Sequence, residues 1–147
     1  MDPFRSKYLD KLSEIHHKLY YKMIRSKYED AFPMIKGLSS LEMGILGVLA
    51  DFPGASLKEI CERLVLPKST LTSAVNRLVN RDYVSRVVNE ADRRSFNLAL
   101  TDAGSLAQQE HIAAEHMLYE KILTALGSEE DAARLIGLLE KIADDFS

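Results

Sequence analysis

The sequence predicts a mainly α chain interrupted by a single two-stranded β element. Three observations carry this. Apolar residues recur every three or four positions through most of the chain. Two Ser-x-x-Glu capping boxes, Ser39 with Glu42 and Ser56 with Glu59, mark helix starts. Only between Tyr83 and Leu100 does the apolar period fall to two.

Residues 4–30 read as a helix with Phe4, Tyr8, Leu12, Ile15, Leu19 and Met23 as one apolar stripe. Pro33 and Gly37 end it in a short loop. The Ser39 box opens a second helix that buries Leu41, Ile45, Leu46, Val48 and Leu49, and residues 51–54 form a turn. The Ser56 box opens a short helix with Leu57, Ile60, Cys61 and Leu64 inward. Pro67 suits the first turn of the next helix, where its missing N–H costs nothing. That helix runs to about Arg81, with Leu71, Ala74, Val75, Leu78 and Val79 inward. Residues 83–88 are β-rich, and Phe96, Leu98 and Leu100 alternate with small or polar residues, so a hairpin with a charged tip at 89–95 follows. Thr101 caps a long helix that continues to about Ala125 and stops at Gly127. A last helix opens after Ser128 with Leu135, Leu138, Leu139, Ile142 and Phe146 as its stripe.

Composition narrows the class. Of 147 residues, 46% are apolar and 28% charged, enough for a core and too apolar for disorder. No apolar run approaches the ~20 residues of a membrane span, and the first thirty residues carry charges throughout, unlike a signal peptide. A soluble cytoplasmic protein with no membrane partner is expected. The single cysteine, Cys61, excludes an intrachain disulfide and Cys-rich zinc modules. Net charge is −3, but its distribution is uneven. Residues 56–100 hold 8 Lys/Arg against 5 Asp/Glu, and residues 101–147 hold 3 against 10. A basic middle suits phosphate, and the acidic last third should face away from it.

Helix, helix, turn, helix, hairpin is the winged helix-turn-helix plan, with the second helix of the pair entering the major groove. Its outer face would carry Lys68, Ser69, Thr70, Thr72, Ser73, Asn76 and Arg77, groups able to bond base edges and phosphates. Lys68, Ser69 and Thr70 lie at the helix N-terminus, where free N–H groups favour phosphate. At the wing tip, Arg93 and Arg94 could reach a neighbouring minor groove, and Asp92 would orient one of them rather than touch DNA.

The stretches SLKEICERL and LVLPKSTLTSAVNRLVNRDYVSRVVNEADRRSFNLALTDAG resemble the multiple-antibiotic-resistance regulator (MarR) family across residues 38–104, in family order and spacing. The flanking helices fit the family layout as well. The resemblance implies a homodimer joined by helices from both chain ends, binding a pseudo-palindromic operator on double-stranded DNA. It implies a transcriptional regulator, commonly a repressor, released by an effector acting between the dimer helices and the DNA-binding lobe. Residues 1–36 and 102–147 would then be dimerisation helices, and 37–101 the DNA-binding lobe. Many relatives carry Gly where this chain has Asp82, a residue that tolerates the left-handed conformation better than most.

The effector is open. His16, Tyr20, Tyr21, Met43 and His111 are candidates to line a pocket for a small organic molecule, although the first-helix members could equally belong to a dimer interface. His111 and Glu115, at i and i+4, could share a metal. Zinc-responsive relatives have a similar Glu-His run, here Glu110 and His111, and a Glu near Glu42, but this chain has Met43 in place of their His. Cys61, on an inward face, reads as a core residue. No cofactor is indicated. A winged module that binds only protein is the rival class, though Lys68, Arg77, Arg93 and Arg94 argue against it. An enzyme is not expected, since no phosphate loop, paired nucleophile or carboxylate motif is present.

Overall fold

The computed structural model describes residues 3–24, 31–89 and 96–145. In chain order these form α1 (Pro3–Ile24), α2 (Ser40–Asp51), α3 (Leu57–Leu64), α4 (Lys68–Asn80), β1 (Val84–Val88), β2 (Phe96–Leu100), α5 (Asp102–Leu126) and α6 (Glu129–Asp145). The mainly α architecture with one two-stranded wing is the one the periodicity predicts.

Both capping boxes form. The Ser39 and Ser56 side chains accept from the N–H of Glu42 and Glu59, and each carboxylate accepts from its serine's backbone N–H. Thr101 likewise accepts from the Gly104 N–H at the start of α5, and Gly127 closes that helix at φ 73°. Pro67 sits one residue earlier than its sequence context suggests, at the N-cap of α4, where it offers no capping side chain.

The core is confined to the middle of the chain. Ile45, Leu46, Leu49, Ile60, Leu71, Leu78 and Val84 are fully buried, joined by Ala74, Val75, Leu98 and Ala107. Leu41, Val48, Leu57, Cys61, Leu64 and Val79 pack against it half-buried. The two strands pair antiparallel from Val84 with Leu100 to Val88 with Phe96. The turn before α3 adds to this sheet, because Gly54 N–H donates to the Leu98 carbonyl and Leu98 N–H to that of Ala55. The wing root is thereby tied to the α2–α3 junction, a pairing no local pattern announces.

Among the described residues, two other than Gly take positive φ, Val65 at 51° and Asp82 at 61°. Asp82 matches its expectation. Val65 ends α3 in the turn between the paired helices, where a β-branched side chain is poorly tolerated. It is 86% exposed, so no packing repays the strain.

Of the glycines, Gly104 makes the tightest approach to its neighbours. A Cβ there would lie 2.0 Å from the Tyr83 carbonyl oxygen and 3.3 Å from a Leu100 methyl. The first turn of α5 therefore rests directly on the backbone where β1 begins. Thr101 N–H also donates to the Tyr83 carbonyl, at 3.1 Å.

Two opposite stability changes follow. Val65→Gly is expected to raise unfolding free energy by about 1 kcal/mol, the cost of the left-handed conformation less the added freedom of the unfolded chain. Gly104→Ala is expected to lower it by about 1–3 kcal/mol, since backbone rather than a flexible side chain must move. Urea denaturation of each variant measures both, and equal midpoints would contradict the assignments.

Candidate nucleic-acid interface

Helix α4 presents its first turn to solvent. Lys68, Ser69 and Thr70 are exposed, and no side chain caps their N–H groups. A 13-residue helix with an open N-terminus and a lysine on its first turn is suited to a phosphate.

The remaining residues of the predicted face are less free than the sequence suggests. Thr72 Oγ1 donates to the Lys68 carbonyl at 2.7 Å, and Ser73 Oγ to that of Ser69 at 3.2 Å. With their protons committed to backbone, both hydroxyls face outward as acceptors. Asn76 Oδ1 accepts from an Arg86 Nη, which holds the amide with its oxygen toward the wing. Arg77 Nε donates to Glu42 Oε1 at 2.9 Å, so its guanidinium is anchored on α2 while the side chain stays 55% exposed.

Arg86 is the residue beside this face that sequence reasoning overlooked. It shares a strand face with buried Val84, two residues before it, and so leans over α4 rather than away from it. A cation in phase with a core valine was the available signal. Arg86, Lys58 and Lys68 rim an open cleft of about 740 Å³ between α3, α4 and the wing, floored by Leu57, Cys61, Val75 and Leu98. Cys61 is half-buried there, against the core. The wing-tip residues Asp92, Arg93 and Arg94 lie outside the described residues.

Glu42 is the electrostatic centre behind this face. It is only 4% exposed. Burial alone would raise its pKa, but the Ser39 N–H and hydroxyl and the Arg77 guanidinium outweigh that and hold the carboxyl below its ordinary value. The pair joins the start of α2 to the last turns of α4.

The candidate effector residues are not gathered by one chain. His16, Tyr20 and Tyr21 lie on α1, where every described side chain is exposed. His16 stacks on Tyr20 at 6.3 Å between ring centres. Met43 and His111 are half-buried on α2 and α5. Nor does a four-residue metal cluster form. Glu42 is held by Ser39 and Arg77, Glu110 accepts from the Met34 N–H at 2.7 Å, and His111 stands with Glu115 alone, at 3.6 Å. Among the described residues no group of three or more candidate ligands is assembled.

A family model described as the MarR family matches residues 36–95. The chain is 28% identical over 111 residues to the transcriptional repressor MdtR of Bacillus subtilis, covering 74% of this chain and 72% of that one. It is 36% identical over 108 residues to the transcriptional regulator PecS of Dickeya dadantii, covering 71% and 64%. Over residues 36–95 the chain matches the MarR family. It is a winged helix-turn-helix, DNA-binding transcriptional regulator. The fold agrees with the solved structure of Streptococcus pneumoniae FabT in complex with DNA, at TM-score 0.73 and 23% identity, covering 95% of this chain and 99% of that one. No described helix of this chain is long and apolar enough to cross a membrane.

The lowered pKa of Glu42 gives a pH signature. Its stabilising contribution is fully present above the ordinary value of 4.5 and is lost as pH falls through the lowered folded value. Glu42→Gln is expected to cost about 1–3 kcal/mol at pH 7 and progressively less on acidification. Urea unfolding of both proteins across pH 3–7 checks this, and a pH-independent difference would contradict it.

Proposed function

We propose that this protein represses transcription as a homodimer that grips a pseudo-palindromic operator and releases it when an effector binds. The observation that carries the DNA-reading half is the open, cationic N-terminus of α4 beside a wing whose Arg86 bonds to α4 itself. Lys68 and the free N–H groups would take phosphate, while Ser69, Thr70, Ser73, Asn76 and the exposed part of Arg77 would reach base edges. Arg93 or Arg94 would enter the adjacent minor groove, with Asp92 orienting one of the two.

The dimer rests on what the core leaves uncovered. Leu9, Leu12 and Leu19 of α1 and Leu138, Leu139 and Ile142 of α6 are all more than half exposed. Exposed apolar stripes on two helices suit an interface. The segments 1–36 and 102–147 would form it, and 37–101 would be the lobe that reads DNA.

The effector would lodge where α5 crosses α2, reaching toward α1 of the assembled dimer. Met43 supplies apolar surface, His16, Tyr20 and Tyr21 amphipathic rings, and His111 a polar edge. Buried Gln108 Oε1 and His111 Nδ1 have no hydrogen-bond partner among the described residues, so a ligand carrying donors would satisfy groups that are costly as they stand. An organic effector fits this better than zinc, given that Glu42 and Glu110 are engaged elsewhere.

Fluorescence anisotropy on a duplex selected from a randomised pool tests the reading. Binding should weaken steeply with salt, and Lys68→Ala should flatten the slope of log K against log salt by about one unit. Chelator should leave binding unchanged. Absence of salt-dependent binding would favour the protein-interaction module, and binding that follows zinc would favour a metal effector.

A further inference from the structure

The turn at residues 32–38 is held from two sides. The Tyr83 hydroxyl donates to the Met34 carbonyl at 2.8 Å. Arg81, the C-cap of α4, donates to the carbonyls of Lys36 at 3.0 Å and Gly37 at 3.2 Å, with its guanidinium 5.0 Å from the centre of the Tyr83 ring. These contacts fasten the turn to the end of the recognition helix. From the other side, the Met34 N–H donates to Glu110 Oε2 on α5 at 2.7 Å.

This matters because α5 has a separate attachment at its start. Thr101 and Gly104 fix where the helix leaves the lobe, through the Tyr83 backbone. A single attachment fixes a helix's position and leaves its tilt free. Glu110 lies six residues beyond Gly104, roughly 9 Å along the axis. The second attachment therefore helps to set the angle of α5 relative to α4. Ala107 also packs into the lobe core and α5 packs along α2, contacts that seat the helix but lack the directionality of a hydrogen bond. A hydrogen bond from a backbone N–H to a carboxylate is directional and charge-assisted.

We propose that Glu110 is the positioning residue that sets the separation of the two recognition helices, and hence the half-site spacing the protein accepts. The inference rests on the proposed dimer. Beyond Glu110, α5 runs sixteen residues to Leu126, roughly 24 Å. A change of tilt of about 10° displaces the lobe by roughly 4 Å relative to the far end, close to the ~3.4 Å rise of one base pair. A register that must match half-sites one helical turn apart cannot absorb such a shift freely.

The test compares the selected operator with versions carrying one base pair more or one fewer between half-sites, and with an isolated half-site. Wild-type protein is expected to prefer its own spacing by about tenfold or more. Glu110→Ala, which keeps a strong helix former, is expected to narrow that preference to about threefold or less, with half-site affinity within about twofold of wild type. Glu110→Gln retains an acceptor and is expected to keep the wild-type preference. Thermal unfolding confirms that each variant is folded. A folded Glu110→Ala that discriminates spacing as wild type does would overturn the assignment. So would loss of discrimination in Glu110→Gln equal to that in Glu110→Ala. Wild-type protein indifferent to spacing would instead remove the dimer reading on which the assignment rests.

Discussion

The first turn of α5 lies on the backbone of Tyr83, at a separation only glycine permits. The Tyr83 N–H donates to the Leu78 carbonyl near the end of α4, and its carbonyl accepts from the Thr101 N–H. Its hydroxyl meets the turn after α1. Recognition helix, wing root, exit helix and entry turn thus share one residue. Asp82, in the left-handed region immediately before it, lets the chain reverse so sharply. A side chain at Gly104 would separate these parts, and the geometry of the DNA-reading surface would go with them.

That junction separates the segment that holds the described core from helices whose apolar residues stay exposed. Every buried hydrophobic residue among those described falls between Ile45 and Ala107. Helices α1 and α6 carry periodic leucines and isoleucines with nothing over them, which is unfavourable surface for an isolated chain. In the proposed dimer the arms complete each other while each lobe keeps its own packing. Rigid lobes on shared helices are the arrangement in which a ligand in the crevice could change the distance between lobes without touching DNA, provided it binds one spacing more tightly than another.

Features set by neighbours in the chain were legible in the sequence. The capping boxes, the Thr101 cap, the left-handed Asp82 and the alternation of the wing each depend on a few adjacent residues, and the inward faces of α2 and α4 follow from helical period. What remained hidden was tertiary. Glu42 and Arg77 are 35 residues apart, and Met34 and Glu110 76 apart, so no local pattern pairs them. Thr72 and Ser73 read only as groups able to bond bases or phosphates, and that their protons go to the helix backbone depends on rotamers the sequence does not show. Arg86 sat in a strand read for its β-propensity alone, and its reach to Asn76 depends on how the wing lies against α4. Val65 gave no sign of a left-handed turn, because a β-branched residue is a poor choice for one.

The central claim is that two rigid lobes present their recognition helices at a defined separation. Spin labels at Asn80→Cys, exposed at the end of α4 and outside the DNA-facing set, in a Cys61→Ser background, read by pulsed electron–electron resonance on operator-bound protein, measure it directly. The account predicts a single narrow distance, set by recognition helices about one helical turn of DNA apart, roughly 34–36 Å. A broad distribution, or no dipolar coupling between protomers, would contradict it.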